Sequence, residues 1–170
     1  MVRGRPGSGK STTLREVAAR LQGVGVDVSG IITPEVRVSG SRVGFEVVDI
    51  ASGERVTFAS VRFGGKFRVS KYGVDVEAFE RVAIPALERP SSVYLIDEVG
   101  KMELFSGRFR EVVEALFSSN SPVVCSAPSY RLEFVERLAA RPDTEVFWVR
   151  RGESARVARV IAERVLALLP

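Results

Sequence analysis

Histidine is absent from this chain of 170 residues, and that absence excludes several kinds of chemistry. Without imidazole there is no Ser-His-Asp or Cys-His catalysis, no histidine metal site and no histidine acid–base step near neutral pH. Any catalysis must therefore use carboxylates, lysine, arginine, hydroxyl groups or a metal ion that a ligand brings with it.

Cysteine and long apolar runs are also scarce. The single Cys125 cannot form an internal disulfide, as is typical of proteins from reducing compartments. No apolar run approaches the ~20 residues that a membrane-spanning helix requires. We therefore expect a cytoplasmic protein with no membrane partner.

Side-chain amides are nearly missing, since only Gln22 and Asn120 are present, and only four of the 25 basic residues are lysine. Few amides suit a thermophile, although a GC-rich genome would produce the arginine bias alone. The net charge of +4 is mild and the arginines are scattered, which favours a solvated basic surface over a nucleic-acid interface. The length and the 45% hydrophobic content predict one domain, 1–170, which we expect to be a monomer.

What is present is a specific motif over residues 4–11. Its sequence, GRPGSGKS, matches the phosphate-loop pattern G-x-x-x-x-G-K-[ST]. The three glycines let the backbone wrap tightly and turn its N–H groups towards phosphate oxygens. Lys10 can then reach the β- and γ-phosphates, and the Ser11 hydroxyl can bind Mg²⁺. The predicted nucleotide-binding residues here are Gly4, Arg5, Pro6, Gly7, Ser8, Gly9, Lys10, Ser11 and Thr12.

The context of this motif separates it from an accidental glycine-rich turn. Leu14, Val17, Ala18 and Leu21 have helical spacing, which predicts a helix over 11–22 whose N-terminal dipole faces the bound anion. Only three residues precede the loop, whereas a strand usually has about five or six. We therefore expect the natural start of the chain to lie upstream.

A second motif follows the apolar run 93–96, which predicts a doubly buried parallel strand. The run ends in Asp97 and Glu98, and ligands in open α/β sheets gather at the carboxyl ends of strands. Asp97 is the candidate Walker B acid that binds Mg²⁺, and Glu98 is the candidate that polarises the attacking water. An apolar run followed by Asp-Glu is weak evidence for a metal site by itself. It becomes strong evidence in a chain that also has a phosphate loop.

The rest of the chain predicts strands alternating with helices in the second half, and hence a parallel sheet covered on both faces. A glycine-bearing turn at 39–41 predicts an antiparallel hairpin. We expect a mobile loop over 61–73, with a short strand at 67–69, and place Cys125, Phe147 and Trp148 in the core. The other predicted strands are 26–33, 35–38, 42–50, 55–60, 122–126 and 145–149, and the helices are 75–88, 132–140, 154–169 and one around 109–116.

Segments 4–12 and 97–104, the latter with sequence DEVGKMEL, together resemble the THEP-type nucleoside triphosphatases, small phosphate-loop hydrolases known from thermophiles and with relatives in animals. Segments 33–37 and 40–45 resemble that family's hairpin. The resemblance implies an α/β, P-loop NTPase fold: a RecA-like, mostly parallel sheet flanked by helices, with an antiparallel hairpin extension. One departure is 150–153, RRGE, where an Asn-Arg-Asp-like element is expected.

The resemblance also implies an activity, the Mg²⁺-dependent release of the γ-phosphate from ATP, GTP and other nucleoside triphosphates. It assigns catalytic roles to Lys10 and Glu98 and metal binding to Ser11 and Asp97. Lys101 is near enough in sequence to contact phosphate or nucleotide, with a surface salt bridge as an equal alternative. Candidates for stabilising charge on the transferred phosphoryl group are Arg37, Arg42 and Arg108.

Two other functions remain open at this point. A small nucleotide or nucleoside kinase would share the phosphate loop, and the arginine-rich segment 61–73 could then be its lid. A nucleotide-dependent, RNA-associated binding module is the alternative without catalysis, although no interleaving of aromatic and basic residues predicts RNA binding. Phosphate release without an acceptor separates a hydrolase from a kinase.

Overall fold

The computed structural model describes all residues from 1 to 170 and contains ten β-strands and five α-helices. A short 3-10 helix, Glu103–Phe105, follows the eighth strand. The strands are β1 Val2–Gly4, β2 Val28–Ile32, β3 Glu35–Val38, β4 Ser41–Asp49, β5 Arg55–Ser60, β6 Arg68–Val69, β7 Tyr72–Val74, β8 Val93–Asp97, β9 Val123–Pro128 and β10 Phe147–Trp148. The helices are α1 Lys10–Gly23, α2 Val76–Glu88, α3 Gly107–Phe117, α4 Glu133–Ala139 and α5 Ser154–Leu168.

The ten strands form one sheet with a parallel and an antiparallel half. The parallel half has the order β10-β1-β9-β8-β2. The antiparallel half continues from β2 through β4, β5, β7 and β6, and β3 pairs with β4. Because β1, β8 and β9 run parallel, their carboxyl ends meet at one edge of the sheet, with β9 between the other two.

Helices cover both faces of the parallel half, and β8 shows why its sequence is continuously apolar. Val93 and Leu95 belong to the hydrophobic cluster that contains α1 and α5, while Tyr94 and Ile96 belong to the larger cluster that contains α2, α3 and α4. Successive side chains of a strand point to opposite faces, so a strand buried on both sides needs apolar residues at every position. None of the helices is long and apolar enough to cross a bilayer.

The hairpin and the alternating second half agree with the sequence prediction, but two predictions need correction. The short strand predicted at 67–69 is present as Arg68–Val69, but the rest of segment 61–73 is not all loop, because Tyr72–Val74 pairs with that strand in an antiparallel ladder and Tyr72 is buried. Trp148 is not in the core: 56% of it is exposed. The reason is that β10 is an edge strand, and only the side carrying Phe147 and Val149 packs into a hydrophobic cluster. Cys125 is buried as predicted.

Candidate active site

The phosphate-loop segment adopts the backbone that its glycines predict. Gly7 and Gly9 have φ angles of 76° and 102°, which is the left-handed region that favours glycine. Helix α1 begins at Lys10 without a side-chain cap and without an acidic residue in its first turn. Its first N–H groups are therefore free for an anion, which the helix dipole also favours.

Contacts from two helices hold this loop in place. The hydroxyl groups of Thr13 and Ser154 both donate to the carbonyl oxygen of Gly9, at 2.7 and 3.1 Å. At Gly4, an added Cβ would lie 2.8 Å from the Val149 carbonyl oxygen, so a larger residue would force the loop and β10 apart. The loop is thus positioned by α1, α5 and the end of β10 together.

Lys10 connects the loop to the carboxylates at the end of β8. Its Nζ donates to the Gly4 carbonyl oxygen at 3.0 Å and lies 3.3 Å from Glu98 Oε2. The Lys10 side chain is 12% exposed and the Glu98 side chain 30%, so solvent only partly screens the pair. The two residues predicted to be catalytic are therefore in direct contact.

Asp97 is buried and held by hydroxyl groups that the sequence analysis did not single out. The Ser126 hydroxyl donates to Asp97 Oδ1 at 2.6 Å, and the Thr33 hydroxyl donates to the Asp97 carbonyl oxygen at 2.7 Å. Ser126 lies on β9 and Thr33 directly follows β2, the two strands that flank β8. Knowledge of the strand order would have been needed to find them.

A cavity of about 320 Å³ brings most of the predicted residues together. It lies between the phosphate loop, the end of β8 and the β3–β4 hairpin. Among its lining residues are Pro6, Gly7, Lys10, Ser11, Asp97, Glu98, Lys101 and Glu103, together with Glu35 and Arg42 from the hairpin.

The environment of Glu98 suits a group that takes up a proton. Burial raises the pKa of the Glu98 carboxyl above its ordinary value of 4.5, and the negative charge of Asp97 raises it further, while Lys10 opposes both effects. A carboxylate with a raised pKa accepts protons more readily at neutral pH than an ordinary one does.

Glu103 is a third carboxyl group in this cavity that the sequence analysis missed. It is 5% exposed, and burial together with the charges of Glu98 and Asp97 raises its pKa well above 4.5. The 3-10 helix turns it back towards β8: an added Cβ at Gly100 would lie 2.7 Å from Glu98 Oε1 and 3.3 Å from Glu103 Oε1. The available signal was its place in the DEVGKMEL segment, the most specific part of the family resemblance.

Glu103 should make the stability of the nucleotide-free protein depend on pH. Because its native pKa is raised, the native state holds this proton at pH values where the unfolded state has lost it, so the free energy of unfolding falls as pH rises above 4.5. Glu103→Gln should flatten this decline between about pH 5 and pH 7. Urea unfolding of both proteins across that range is the measurement, and equal slopes would contradict the expectation.

Of the remaining predicted site residues, some line the first cavity, some line a second cavity and some line neither. Lys101 lines the cavity with its Nζ 5.0 Å from the centre of the Tyr130 ring, and none of the ion pairs in the structure includes it. Gly4, Arg5 and Ser8 line a second cavity on the phosphate loop, whereas Gly9 and Thr12 line neither.

The three candidate arginines differ in position. Arg42 lines the first cavity but donates to the Tyr72 hydroxyl at 3.0 Å and to Glu35 at 3.1 Å. Arg37 is bound to Glu35 and the Gly40 carbonyl oxygen, and Arg108 lies 3.7 Å from Glu80 on α2. Neither lines the cavity, so Arg42 is the only one of the three at the candidate site.

The donor set fits a magnesium ion. Ser11 and Asp97 line the same cavity, and the hydrogen bond from Ser126 engages only one Asp97 oxygen. No three carboxylate or thiolate side chains in the structure are placed to hold a metal ion together. Mg²⁺ needs no such cluster beside a nucleotide, because one or two protein ligands, phosphate oxygens and water complete its shell.

The loop after β1, the carboxylates after β8 and the intervening β9 define a phosphate-loop nucleoside triphosphatase with a RecA-like sheet. A family model described as NTPase matches residues 1–162. The chain belongs to this NTPase family, and it is an enzyme of the nucleoside-triphosphatase class.

Curated relatives and solved structures support the same assignment. The chain is 45% identical over 169 residues to nucleoside-triphosphatase THEP1 of Korarchaeum cryptofilum, covering 98% of this chain and 86% of that protein. It is 45% identical over 152 residues to nucleoside-triphosphatase THEP1 of Methanothermobacter thermautotrophicus, covering 88% of this chain and 85% of that protein. The crystal structure of THEP1 from Aquifex aeolicus superposes with a TM-score of 0.79 at 33% identity, covering 99% and 96% of the two chains. The solution structure of a human cancer-related nucleoside triphosphatase superposes with a TM-score of 0.84 at 35% identity, covering 98% of this chain and 96% of that chain.

Proposed function

We propose that this protein hydrolyses nucleoside 5′-triphosphates to diphosphate and phosphate in an Mg²⁺-dependent reaction, with Glu98 activating the attacking water. The observation that carries the proposal is the contact of Lys10 Nζ with Glu98 Oε2 at 3.3 Å, at the mouth of the phosphate loop and in the cavity that holds Asp97. This arrangement places a cation for the phosphates and a proton acceptor side by side.

Binding of the triphosphate is the task of the loop. The N–H groups at the start of α1 and the Lys10 ammonium donate to the β- and γ-phosphate oxygens. Ser11 and Asp97 would hold Mg²⁺, and the bound ion would neutralise charge on those oxygens. The Ser126 hydroxyl orients the Asp97 carboxylate through a hydrogen bond at 2.6 Å, and the Thr33 hydroxyl holds the Asp97 backbone through one at 2.7 Å.

Hydrolysis needs a group that orients water and takes its proton. Glu98 lies next to the phosphate-binding lysine, is partly buried and has a raised pKa. A water molecule that donates to Glu98 can attack the γ-phosphorus, and its proton passes to the carboxylate as the bond to the leaving diphosphate breaks. Arg42 donates to the Tyr72 hydroxyl and to Glu35, so it would have to leave these contacts to approach the phosphoryl group.

Acceptor-free phosphate release from ATP, GTP, CTP and UTP is the experiment that tests this proposal. We expect release from all four nucleotides with Mg²⁺ and none when the metal is removed with a chelator, because charge neutralisation on the phosphates is then lost. Release that appeared only after adding a nucleoside or nucleotide acceptor would show a kinase. Tight binding without release under either condition would show a binding module.

A further inference from the structure

A second cavity, of about 760 Å³, adjoins the phosphate loop, and nothing in the hydrolytic step uses it. Pro6, Gly7 and Ser129 line both cavities, so these three residues form a shared wall. Asp97, Glu98 and Lys10 line only the first cavity. A triphosphate with its γ-phosphate in the first cavity that extended across this wall would have its nucleoside end next to the second.

Trp148 is the prominent side chain of this second cavity. It is the only tryptophan in the chain and is 56% exposed. The guanidinium carbon of Arg3 lies 5.1 Å from the centre of the indole ring, a cation–π distance.

Arg3 is itself held in place by several hydrogen bonds, so it gives the indole ring a fixed neighbour on one side. Arg3 is only 5% exposed and donates to both Glu136 carboxylate oxygens, at 3.0 and 2.8 Å. It also donates to the carbonyl oxygens of Pro128, at 3.1 Å, and Tyr130, at 3.2 Å. An aromatic ring that is held before binding loses little conformational entropy when a ligand stacks on it.

The second cavity is also positively charged, which favours a ligand that carries a negative charge. Arg5, Arg150 and Arg151 line it, and their side chains make no hydrogen bond or ion pair in the structure. No acidic residue and no side-chain amide is among the lining residues. The cavity therefore suits a flat aromatic group attached to an anion, and it lacks the carboxylate and amide side chains that commonly distinguish base edges.

We infer that Trp148 is the platform on which the nucleobase of the substrate stacks, with the three arginines around the sugar and its attached phosphate. This inference rests on the proposed function and adds the part of the site that holds the nucleoside. Stacking is available to every base, because every base has a π-face. The site should therefore accept all four nucleotides and bind purines more tightly than pyrimidines, in order of stacking strength.

Binding of ADP and of inorganic tripolyphosphate, measured by calorimetry with Mg²⁺, tests the inference. Trp148→Ala should raise the Kd for ADP about tenfold or more, the usual scale for losing one stacked base. It should leave the Kd for tripolyphosphate unchanged, because that ligand has no base. Trp148→Phe should restore most of the affinity for ADP. The wild-type tryptophan emission should change with ADP but not with tripolyphosphate, since Trp148 is the only emitter of its kind.

Leu168→Ala is the matched control, because Leu168 is an exposed apolar residue, 71% accessible, that lines neither of these cavities. It should change neither Kd. An unchanged Kd for ADP in Trp148→Ala, or an equal rise for ADP and tripolyphosphate, would overturn the inference. Either result with normal wild-type phosphate release would leave the proposed function standing, whereas failure of the wild type to release phosphate would count against that function itself.

Discussion

Glu98→Gln is expected to lower the rate of phosphate release at least ~100-fold, the usual scale for losing general acid–base catalysis. Glutamine has nearly the same shape but cannot take a proton from water, so the attacking nucleophile is no longer activated. Binding of Mg²⁺–nucleotide should remain, because Glu98 contacts Lys10 rather than the loop backbone. The outcome should be a protein that retains the triphosphate without cleaving it.

The measurements are single-turnover phosphate release and calorimetric titration with Mg²⁺–ADP, on the wild type and the variant. Glu133→Gln is the matched control, because it makes the same change at an exposed position of α4 outside the cavity. Full activity in Glu98→Gln would remove Glu98 from the mechanism. A loss of binding as large as the loss of rate would show instead that Glu98 maintains the phosphate loop.

Lys10→Ala is expected to abolish turnover by removing the cation that stabilises charge on the β- and γ-phosphates. Unlike Glu98→Gln, it should also weaken binding of nucleotides and of tripolyphosphate, because the ammonium group contacts the ground state as well as the transition state. It also leaves Glu98 without its partner at 3.3 Å, so the pKa of Glu98 should rise further once the cation that lowers it is gone.

Phosphate release and calorimetry with tripolyphosphate test this second expectation. Lys66→Ala provides the control, since Lys66 is an exposed lysine outside the cavity. Lys101→Ala is the closer comparison, because Lys101 lines the same cavity but lies over Tyr130. Turnover by Lys10→Ala at the wild-type rate would refute the role of Lys10. Equal losses in Lys10→Ala and Lys101→Ala would show that the charge of the cavity, not the position of Lys10, matters.

Local patterns were enough to predict the central chemistry. The phosphate loop is a contiguous segment, so its glycines, Lys10 and Ser11 were readable from spacing alone. Asp97 and Glu98 were readable because a strand buried on both faces is an unbroken apolar run that ends where the carboxylates begin. The structure places these residues in one cavity, although their catalytic and metal-binding roles stay predictions.

Features that depend on distant pairing could not be predicted in this way. The exposure of Trp148 follows from the edge position of β10, which is set by its pairing with β1 at the opposite end of the chain. The Ser126 hydrogen bond to Asp97 requires β9 to lie beside β8. Glu103 is buried because a single 3-10 turn folds it back over Gly100, and one turn leaves no periodic signal in the sequence.

The ion pair of Lys10 with Glu98 has a consequence for how a nucleotide binds. Since the ammonium group already has an anionic partner, an incoming phosphate does not meet a free cation but competes with a carboxylate of the same protein for it. The free energy that this lysine contributes to binding is therefore the difference between its pairing with phosphate and its pairing with Glu98, not the full strength of either ion pair. When the phosphate displaces the carboxylate, the group that loses its lysine partner is the proposed base, so Glu98 is released from Lys10 only while a phosphate ligand occupies the loop.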